Sequence, residues 1–106
     1  MSTLRKQTQE FAVAGSAFNT VGADLGGFSI YSIQVDFVGG ALAGTGKIQA
    51  SNTDTNYVDV SGATQTIAAG ASILLSTSTA GYQYARLVWT PSGGAGTATT
   101  TTVLKG

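Results

Sequence analysis

The 106-residue sequence has no cysteine and no histidine, and only 9% of its residues are charged. Without cysteine there can be no disulfide, thiolate nucleophile or cysteine-based zinc site. Without histidine the chain lacks the commonest general base and the commonest transition-metal ligand. No G-x-S-x-G nucleophile motif is present either. The sequence therefore predicts a protein that is not an enzyme, with no catalytic residues and no cofactor.

Charge is balanced as well as scarce, since five basic and five acidic residues give a net charge of zero. Such a chain has no broad electrostatic surface, so neither a nucleic-acid partner nor an anionic membrane is expected. No apolar run of about 18 residues occurs, which argues against insertion into a membrane. The N-terminus lacks the apolar segment of a secretory signal, so we expect synthesis in a cytoplasm.

Apolar and polar residues alternate along much of the chain, with the period of half-buried β-strands. The clearest case is "FSIYSIQVDFV", 28–38, in which every second residue from Tyr31 to Phe37 is apolar. The segment "YQYARLVWT", 82–90, carries large side chains on both faces, which predicts a central strand. We expect Pro91 to end it, because proline cannot donate to a β-ladder.

Weaker strands are predicted in five further segments, including a threonine-rich final stretch whose β-branched side chains favour a sheet. Glycine-rich stretches such as "GGALAGTG" and "SGGAG" predict turns between strands. Seven or eight short strands at intervals of about 8–12 residues predict an all-β protein, an antiparallel β-sandwich (jelly-roll or immunoglobulin-like) with no significant helix. We assign residues 1–10 to a polar N-terminal arm and 11–106 to a single sandwich domain. The five segments are 10–15, 47–52, 57–62, 72–77 and 96–105.

The stretch "KIQASNTDTNYVDVSG", 47–62, holds the densest cluster of polar and acidic side chains. Asn52, Asp54, Asn56 and Asp59 make it a weak candidate for calcium, which takes several oxygen ligands. The EF-hand pattern fails, because other residues occupy the positions that require glycine and glutamate. Asn and Asp also tighten turns by bonding to their own backbone. The favoured interpretation is the tip of a β-hairpin.

Arg86 is the one basic residue inside a strongly predicted strand. We expect it to pair with Asp36 or Asp59 across the sheet, or to bond to a neighbouring subunit, since a bidentate arginine fixes geometry better than a lysine. Asp36 with Asp59 or Asp54 is the acid pair to consider for catalysis. The ordinary interpretation of Asp36 is a solvated carboxylate on a polar strand face.

The aromatic residues have two possible uses, as a platform for sugars or partners, or as core. Aromatic side chains on an alternating strand usually belong to the core. A buried Trp89 favours a scaffold, whereas an exposed shelf of tyrosine and tryptophan favours a lectin. The aromatic candidates are Trp89, Tyr31, Tyr57, Tyr82 and Tyr84.

An alternating strand from Ser29 is followed by "KIQASNTDTNYVDV", then by "GYQYARLVWTPSGGAGT", and then by a threonine-rich strand closing on "KG". This arrangement resembles a family of small β-rich structural proteins of bacteriophage particles, over about three-quarters of the chain. The residues that carry the resemblance are Ser51, Asn52, Asp54, Tyr57, Tyr84, Arg86, Gly93, Gly94 and Gly96.

The resemblance implies a non-enzymatic virion structural protein, namely a minor capsid, decoration, vertex or spike-base component made in the host cytoplasm. Its partners would be further copies of itself and other virion proteins, including the major capsid protein. The alternative is a carbohydrate- or receptor-binding module of an adhesin or tail protein, with a glycan as partner. A nearly uncharged surface suits packing against neighbours. The interface candidates are Arg5, Lys6, Arg86, Tyr57 and Tyr84.

A third interpretation, a secreted module stapled by calcium at residues 52–59, has a direct test. Chelation would remove the ion together with the stability that its binding contributes. Because we interpret these residues as turn formers, we expect excess EDTA to leave the thermal unfolding midpoint unchanged. A fall in the midpoint that added calcium reverses would support the calcium module instead.

Overall fold

The computed structural model describes residues 4–11, 17–20, 22–26, 28–39, 42–68, 71–78 and 82–105, with 4–11 described at the level of the backbone. These residues form nine β-strands and no helix. No apolar helix of bilayer-spanning length therefore occurs among them. The strands are β1 Leu4–Phe11, β2 Phe18–Asn19, β3 Ala23–Asp24, β4 Ile30–Gly39, β5 Ala43–Ser51, β6 Val58–Ile67, β7 Ile73–Ser78, β8 Tyr84–Gly93 and β9 Gly96–Lys105.

The strands form two antiparallel sheets. Sheet A has the order β1-β9-β4-β7, and sheet B has the order β2-β8-β5-β6 with β3 also pairing with β8. The two short strands, β2 and β3, share one edge of β8 and so occupy one strand position. Each early strand pairs with a late one: β1 with β9, β2 and β3 with β8, β4 with β7, and β5 with β6. The predicted β-sandwich is confirmed, and this strand order is that of a jelly roll.

Alternate residues of the central strands fill the interior between the sheets. In β4, Tyr31, Ile33 and Val35 are buried, which confirms the clearest of the predicted strands. In β9, which lies between β1 and β4, Thr100 and Thr102 are buried. The threonine-rich stretch is therefore a central strand of sheet A, with the remaining threonines directed outward.

Trp89 of β8 links the two sheets through the core. Its side chain is fully buried. Its ring centroid lies 4.8 Å from that of Phe37 in β4 and 6.5 Å from that of Phe18 in β2. Trp89 is therefore a core residue, and the sequence-based criterion favours a scaffold.

Gly44 and Gly46 face the interior from β5. A Cβ atom on Gly44 would lie 2.7 Å from Trp89 Cη2, and one on Gly46 would lie 2.8 Å from Ile73 Cδ1. The prediction of a turn throughout "GGALAGTG" is wrong for residues 43–46, which begin β5. These glycines allow close packing between the sheets rather than a reversal of the chain.

β8 continues through Pro91 to Gly93, so the prediction that Pro91 ends the strand is wrong. Gly44 of β5 lies opposite Pro91 of β8, and the register of the two strands shifts between Ala43 and Gly44. A β-bulge of this kind accommodates a residue that has no amide hydrogen to donate.

β1 is an edge strand of sheet A, and its backbone pairs with β9 from Leu4 opposite Lys105 to Phe11 opposite Ala98. Most of the segment assigned to a polar arm, 1–10, is therefore strand in the structure. Ladder hydrogen bonds join backbone groups and need no apolar alternation, so the sequence pattern did not indicate this strand. Residues 12–15 of the predicted strand 10–15 lie outside the described residues.

The hydroxyl group of Tyr31 is a buried polar group in the core, near the hydroxyl groups of the buried residues Thr20 and Thr102. Tyr31 Oη is buried, and in the described part of the chain it makes no hydrogen bond of good geometry. Burial raises the pKa of Tyr31 to about 12, while the nearby hydroxyl groups of Thr20 and Thr102 offset part of that rise. An acid whose pKa is higher in the native state than in the unfolded chain makes stability fall as pH rises above the unfolded value.

We expect Tyr31→Phe to remove this loss of stability at alkaline pH. One pKa unit corresponds to about 1.4 kcal/mol, so between about pH 8 and about pH 11 the native protein should lose about 1.4 kcal/mol more unfolding free energy than the variant. Urea unfolding at the two pH values measures the difference. The remaining tyrosines are present in both proteins, so their contributions cancel. If the two proteins lost equal amounts of unfolding free energy between these pH values, the raised pKa of Tyr31 would be contradicted.

Candidate functional site

The polar stretch 52–57, which we call the tip, joins β5 to β6. β5 ends at Ser51, β6 begins at Val58, and the two strands pair antiparallel. Asp54 adopts φ 60°, a left-handed conformation that Asp tolerates in turns. The predicted hairpin tip is confirmed.

Three of the four calcium candidates use their oxygens within the chain. Asn52 Oδ1 accepts the backbone amide of Gln83 at 3.1 Å. Asp54 Oδ1 accepts the hydroxyl of Tyr57. The third, Asp59, lies on the outer face of sheet B, where its carboxylate accepts hydrogen bonds from Lys47 and Gln49. Among the described residues no group of three or more His, Cys, Asp or Glu is placed to hold a metal ion.

A row of hydrogen-bonded side chains, which we call the Arg86 row, crosses the outer face of sheet B. Arg86 donates from Nε and Nη2 to Gln49 Oε1 at 3.1 and 2.9 Å. Gln49 Nε2 donates to Asp59 Oδ1 at 2.8 Å, and Lys47 forms a 3.1 Å salt bridge with Asp59 Oδ2. The bonds from Gln49 and Lys47 lower the pKa of Asp59. The predicted pairing of Arg86 with Asp59 is therefore wrong, because Gln49 lies between them and bonds to both.

Tyr57 covers one end of the Arg86 row. Its ring centroid is 4.1 Å from Arg86 Cζ, a cation–π contact. Burial, with the hydrogen bond and negative charge of Asp54, raises the pKa of Tyr57, and the charge of Arg86 offsets part of the rise. A side chain at Gly22, between β2 and β3, would overlap the Tyr57 hydroxyl and the Asp54 carboxylate. The tip therefore reaches across β8 to the opposite edge of sheet B.

Three of the five interface candidates lie together on the outer face of sheet B. Tyr84 and Arg86 face outward from β8, and Tyr57 stacks on Arg86. The other two, Arg5 and Lys6, belong to β1 at the edge of sheet A, and their side chains lie outside those described. The structure thus brings three interface candidates together on sheet B. The other two, which belong to the predicted N-terminal arm, lie on sheet A.

The acid pairs considered for catalysis are not formed. Asp36 faces outward from β4 in sheet A, where Gln34 Nε2 donates to its carboxylate at 3.0 Å. Asp59 lies on β6 in sheet B and Asp54 in the tip beside it. The outer faces of the two sheets point away from each other, which also rules out the predicted pairing of Asp36 with Arg86.

Three residues of this site, Lys47, Gln49 and Gly22, are not among the sequence-based candidates. Gln49 had a signal, because it alternates with Ile48 and Ala50 on a predicted strand and so had to face outward with Lys47. Gly22 had none, because its role depends on the position of a tip more than 30 residues away in the chain.

Sheet A presents a second surface that the sequence analysis did not single out. The register aligns Leu74 of β7, Gln34 of β4 and Thr101 of β9 in one row across it. Val38 and Leu74 are 70% and 64% exposed. Asp36 is the one charged side chain within this surface, and its carboxylate accepts hydrogen bonds from Gln34 Nε2 and Ser72 Oγ. We call this sparsely charged surface the neutral face. Its described residues are Ser32, Gln34, Asp36, Val38, Leu74, Ser76, Thr97, Thr99, Thr101 and Val103.

Several solved structures share this fold at low sequence identity. The SPBc2 prophage-derived protein YomS aligns with a TM-score of 0.69 and 13% identity, over 98% of this chain and 96% of YomS. The PBSX exported protein XepA aligns with a TM-score of 0.69 and 16% identity, over 96% of this chain and 36% of XepA. The coat protein of Tobacco streak virus aligns with a TM-score of 0.56 and 9% identity, over 97% of this chain and 84% of the coat protein.

These comparisons establish a fold that phage-derived proteins and a viral coat protein also have. The chain spans about a third of the length of XepA, so the same sandwich also occurs as part of a longer protein. No protein-family model matches the sequence. A search of curated proteins finds no significant match.

The contact between Asp54 and Tyr57 can be tested by titration. We expect Asp54→Asn to lower the pKa of Tyr57, because the variant keeps an acceptor oxygen but loses the negative charge that opposes ionisation. The signal of the Tyr57 ring carbon in NMR spectra recorded against pH measures this pKa. Asp36→Asn, on the other sheet, is the matched control and should leave it unchanged. A Tyr57 pKa that moves with neither substitution would contradict the contact.

Proposed function

We propose that this protein is a non-enzymatic structural component of a bacteriophage particle that assembles by packing against further copies of itself and against other virion proteins. The observation that carries the proposal is the neutral face, a broad sheet surface whose one charged side chain among the described residues, Asp36, is hydrogen-bonded within the chain. Support comes from the fold shared with prophage-derived proteins and a viral coat protein. Jelly rolls also recur in viral capsids.

The occupant that we assign to the neutral face is a second copy of the chain. Burying a charge without a partner is costly, and the centres of protein interfaces are depleted of charge. Val38 and Leu74 supply exposed apolar area, and the hydroxyl and amide groups around them can hydrogen-bond across the interface. A net charge of zero does little to keep copies apart. In a two-fold pair the same face would meet itself.

β1 supplies a second kind of contact in this proposal. As an edge strand it carries a row of backbone groups on the side away from β9, to which a neighbouring chain can add a strand. Arg5 and Lys6 lie on this strand, so we retain the hypothesis that the N-terminal segment binds adjacent subunits. The major capsid protein is the proposed partner, and the position in the virion would be that of a minor capsid, decoration, vertex or spike-base protein made in the host cytoplasm.

The carbohydrate-binding alternative depended on an exposed shelf formed by Trp89 and Tyr57. Trp89 is fully buried, and the ring of Tyr57 lies against Arg86. A scaffold is therefore favoured over a lectin of that design.

Sedimentation velocity tests assembly through the neutral face. We expect reversible oligomers that persist between about 50 mM and about 1 M NaCl, because salt screens charges and these contacts are apolar and hydrogen-bonded. Thr101→Lys places a charge in the middle of the face and should weaken association about tenfold or more.

Thr64→Lys is the matched control, because it makes the same change at an exposed site on β6 in sheet B. Association should persist in this variant. A monomer at about 1 mM protein, or oligomers that dissociate in high salt, would contradict packing through apolar and hydrogen-bonded contacts. Equal weakening by the two lysines would show that the neutral face is not the interface.

A further inference from the structure

An open pocket of about 250 Å³ lies beside the tip. It forms where β5 ends, β6 begins and the chain enters β8. The backbone amide of Gln83 donates to Ser51 O at 3.3 Å and to Asn52 Oδ1 at 3.1 Å, and these bonds hold the adjacent Tyr82 beside the tip. The lining residues are Ala50, Ser51, Asn52, Asn56, Val58 and Tyr82.

The described residues in the wall of this pocket are uncharged, and they form an apolar part and a polar part. Tyr82 and Val58 are 40% and 69% exposed, so an aromatic ring and an aliphatic side chain are open to a ligand. The side chains of Asn52 and Asn56 supply amide groups, and Asn56, the fourth calcium candidate, is exposed here. Because Asn52 Oδ1 accepts the amide of Gln83, its Nδ2 is the end left to donate.

We infer that this pocket binds a neutral sugar. A pyranose ring has an apolar C–H face and a rim of hydroxyl groups, which match an aromatic ring beside amide donors and acceptors. Tyr82 would stack on the C–H face, and Asn52 and Asn56 would hydrogen-bond to the hydroxyls. A charged ligand would find no opposite charge in the wall. A purely apolar ligand would cover these amides without hydrogen-bonding to them.

The pocket is made by a single chain, so this inference goes beyond the proposed assembly and does not depend on it. It also differs from a shelf of Trp89 and Tyr57, neither of which lines the pocket. An open site of this size buries only part of a sugar, so we expect dissociation constants in the millimolar range for one chain. Assembly would raise the apparent affinity for a surface that carries many sugars, through multivalent binding.

NMR titration of the ¹⁵N-labelled full chain with sugars tests the inference. The probes are the methyl pyranosides of glucose, galactose and N-acetylglucosamine, each to about 50 mM, with N-acetylneuraminic acid as the charged comparison. At least one neutral sugar should shift the backbone amides of Asn52, Asn56 and Val58 and the side-chain amide of Asn52, and should saturate. Tyr82→Phe should retain binding, because the ring face remains.

Tyr82→Ala should weaken binding about tenfold or more, because the stacking surface is removed. Thr64→Ala, an exposed change on β6 away from the pocket, should bind as the native chain does. The inference is overturned if no neutral sugar shifts the lining amides, if only N-acetylneuraminic acid binds, or if Tyr82→Ala binds with unchanged affinity. The ¹⁵N spectrum of each variant shows whether it is folded, so lost binding is not confused with lost structure.

Discussion

The packing of Trp89 against Phe37 is the contact on which the sandwich depends, because it joins β8 of one sheet to β4 of the other. Truncating a buried tryptophan typically costs about 3–5 kcal/mol, a large part of the stability of a small domain. The neighbouring strand has adapted to this ring. Gly44 has no side chain where a Cβ would meet Trp89 Cη2, and the register of β5 and β8 shifts beside Gly44, where Pro91 lies opposite. The large ring, the glycine and the proline are therefore parts of one arrangement.

The same arrangement explains which parts of the fold could be predicted from the sequence. β4 was predicted because its apolar and polar residues alternate cleanly, and β8 was predicted because large side chains occupy both of its faces. The glycine-rich start of β5 was missed, because a glycine that makes room for a ring has the same sequence signal as a glycine in a turn. β6 was predicted too short for a related reason: Gly62 adopts φ 79° where the pairing with β5 is irregular, and the strand then continues to Ile67.

The candidate site likewise has parts that could be predicted from the sequence and parts that could not. The tip was predictable because Asn and Asp in alternation are local signals of a turn. That Arg86 reaches Asp59 through Gln49 was not, because the sequence gives the face of each side chain but not the register of three strands. The pocket beside the tip depends on a still longer connection, between Gln83 and the tip residue Asn52. Contacts between distant segments are what sequence patterns leave undetermined.

Most of the charged side chains that the structure describes are held by bonds within the chain, and this links the composition to the proposed roles. Asp59 is bound by Gln49 and Lys47, Asp54 by Tyr57, and Asp36 by Gln34. Asp36, the one described carboxylate on the neutral face of sheet A, is therefore already hydrogen-bonded within its own chain. The pocket belongs to the sheet B side, on β5, β6 and the approach to β8. A copy packed through sheet A would therefore still expose its pocket. An assembled shell would then present many such pockets at once. Weak binding of a sugar at each pocket would add up to strong binding to a sugar-coated surface.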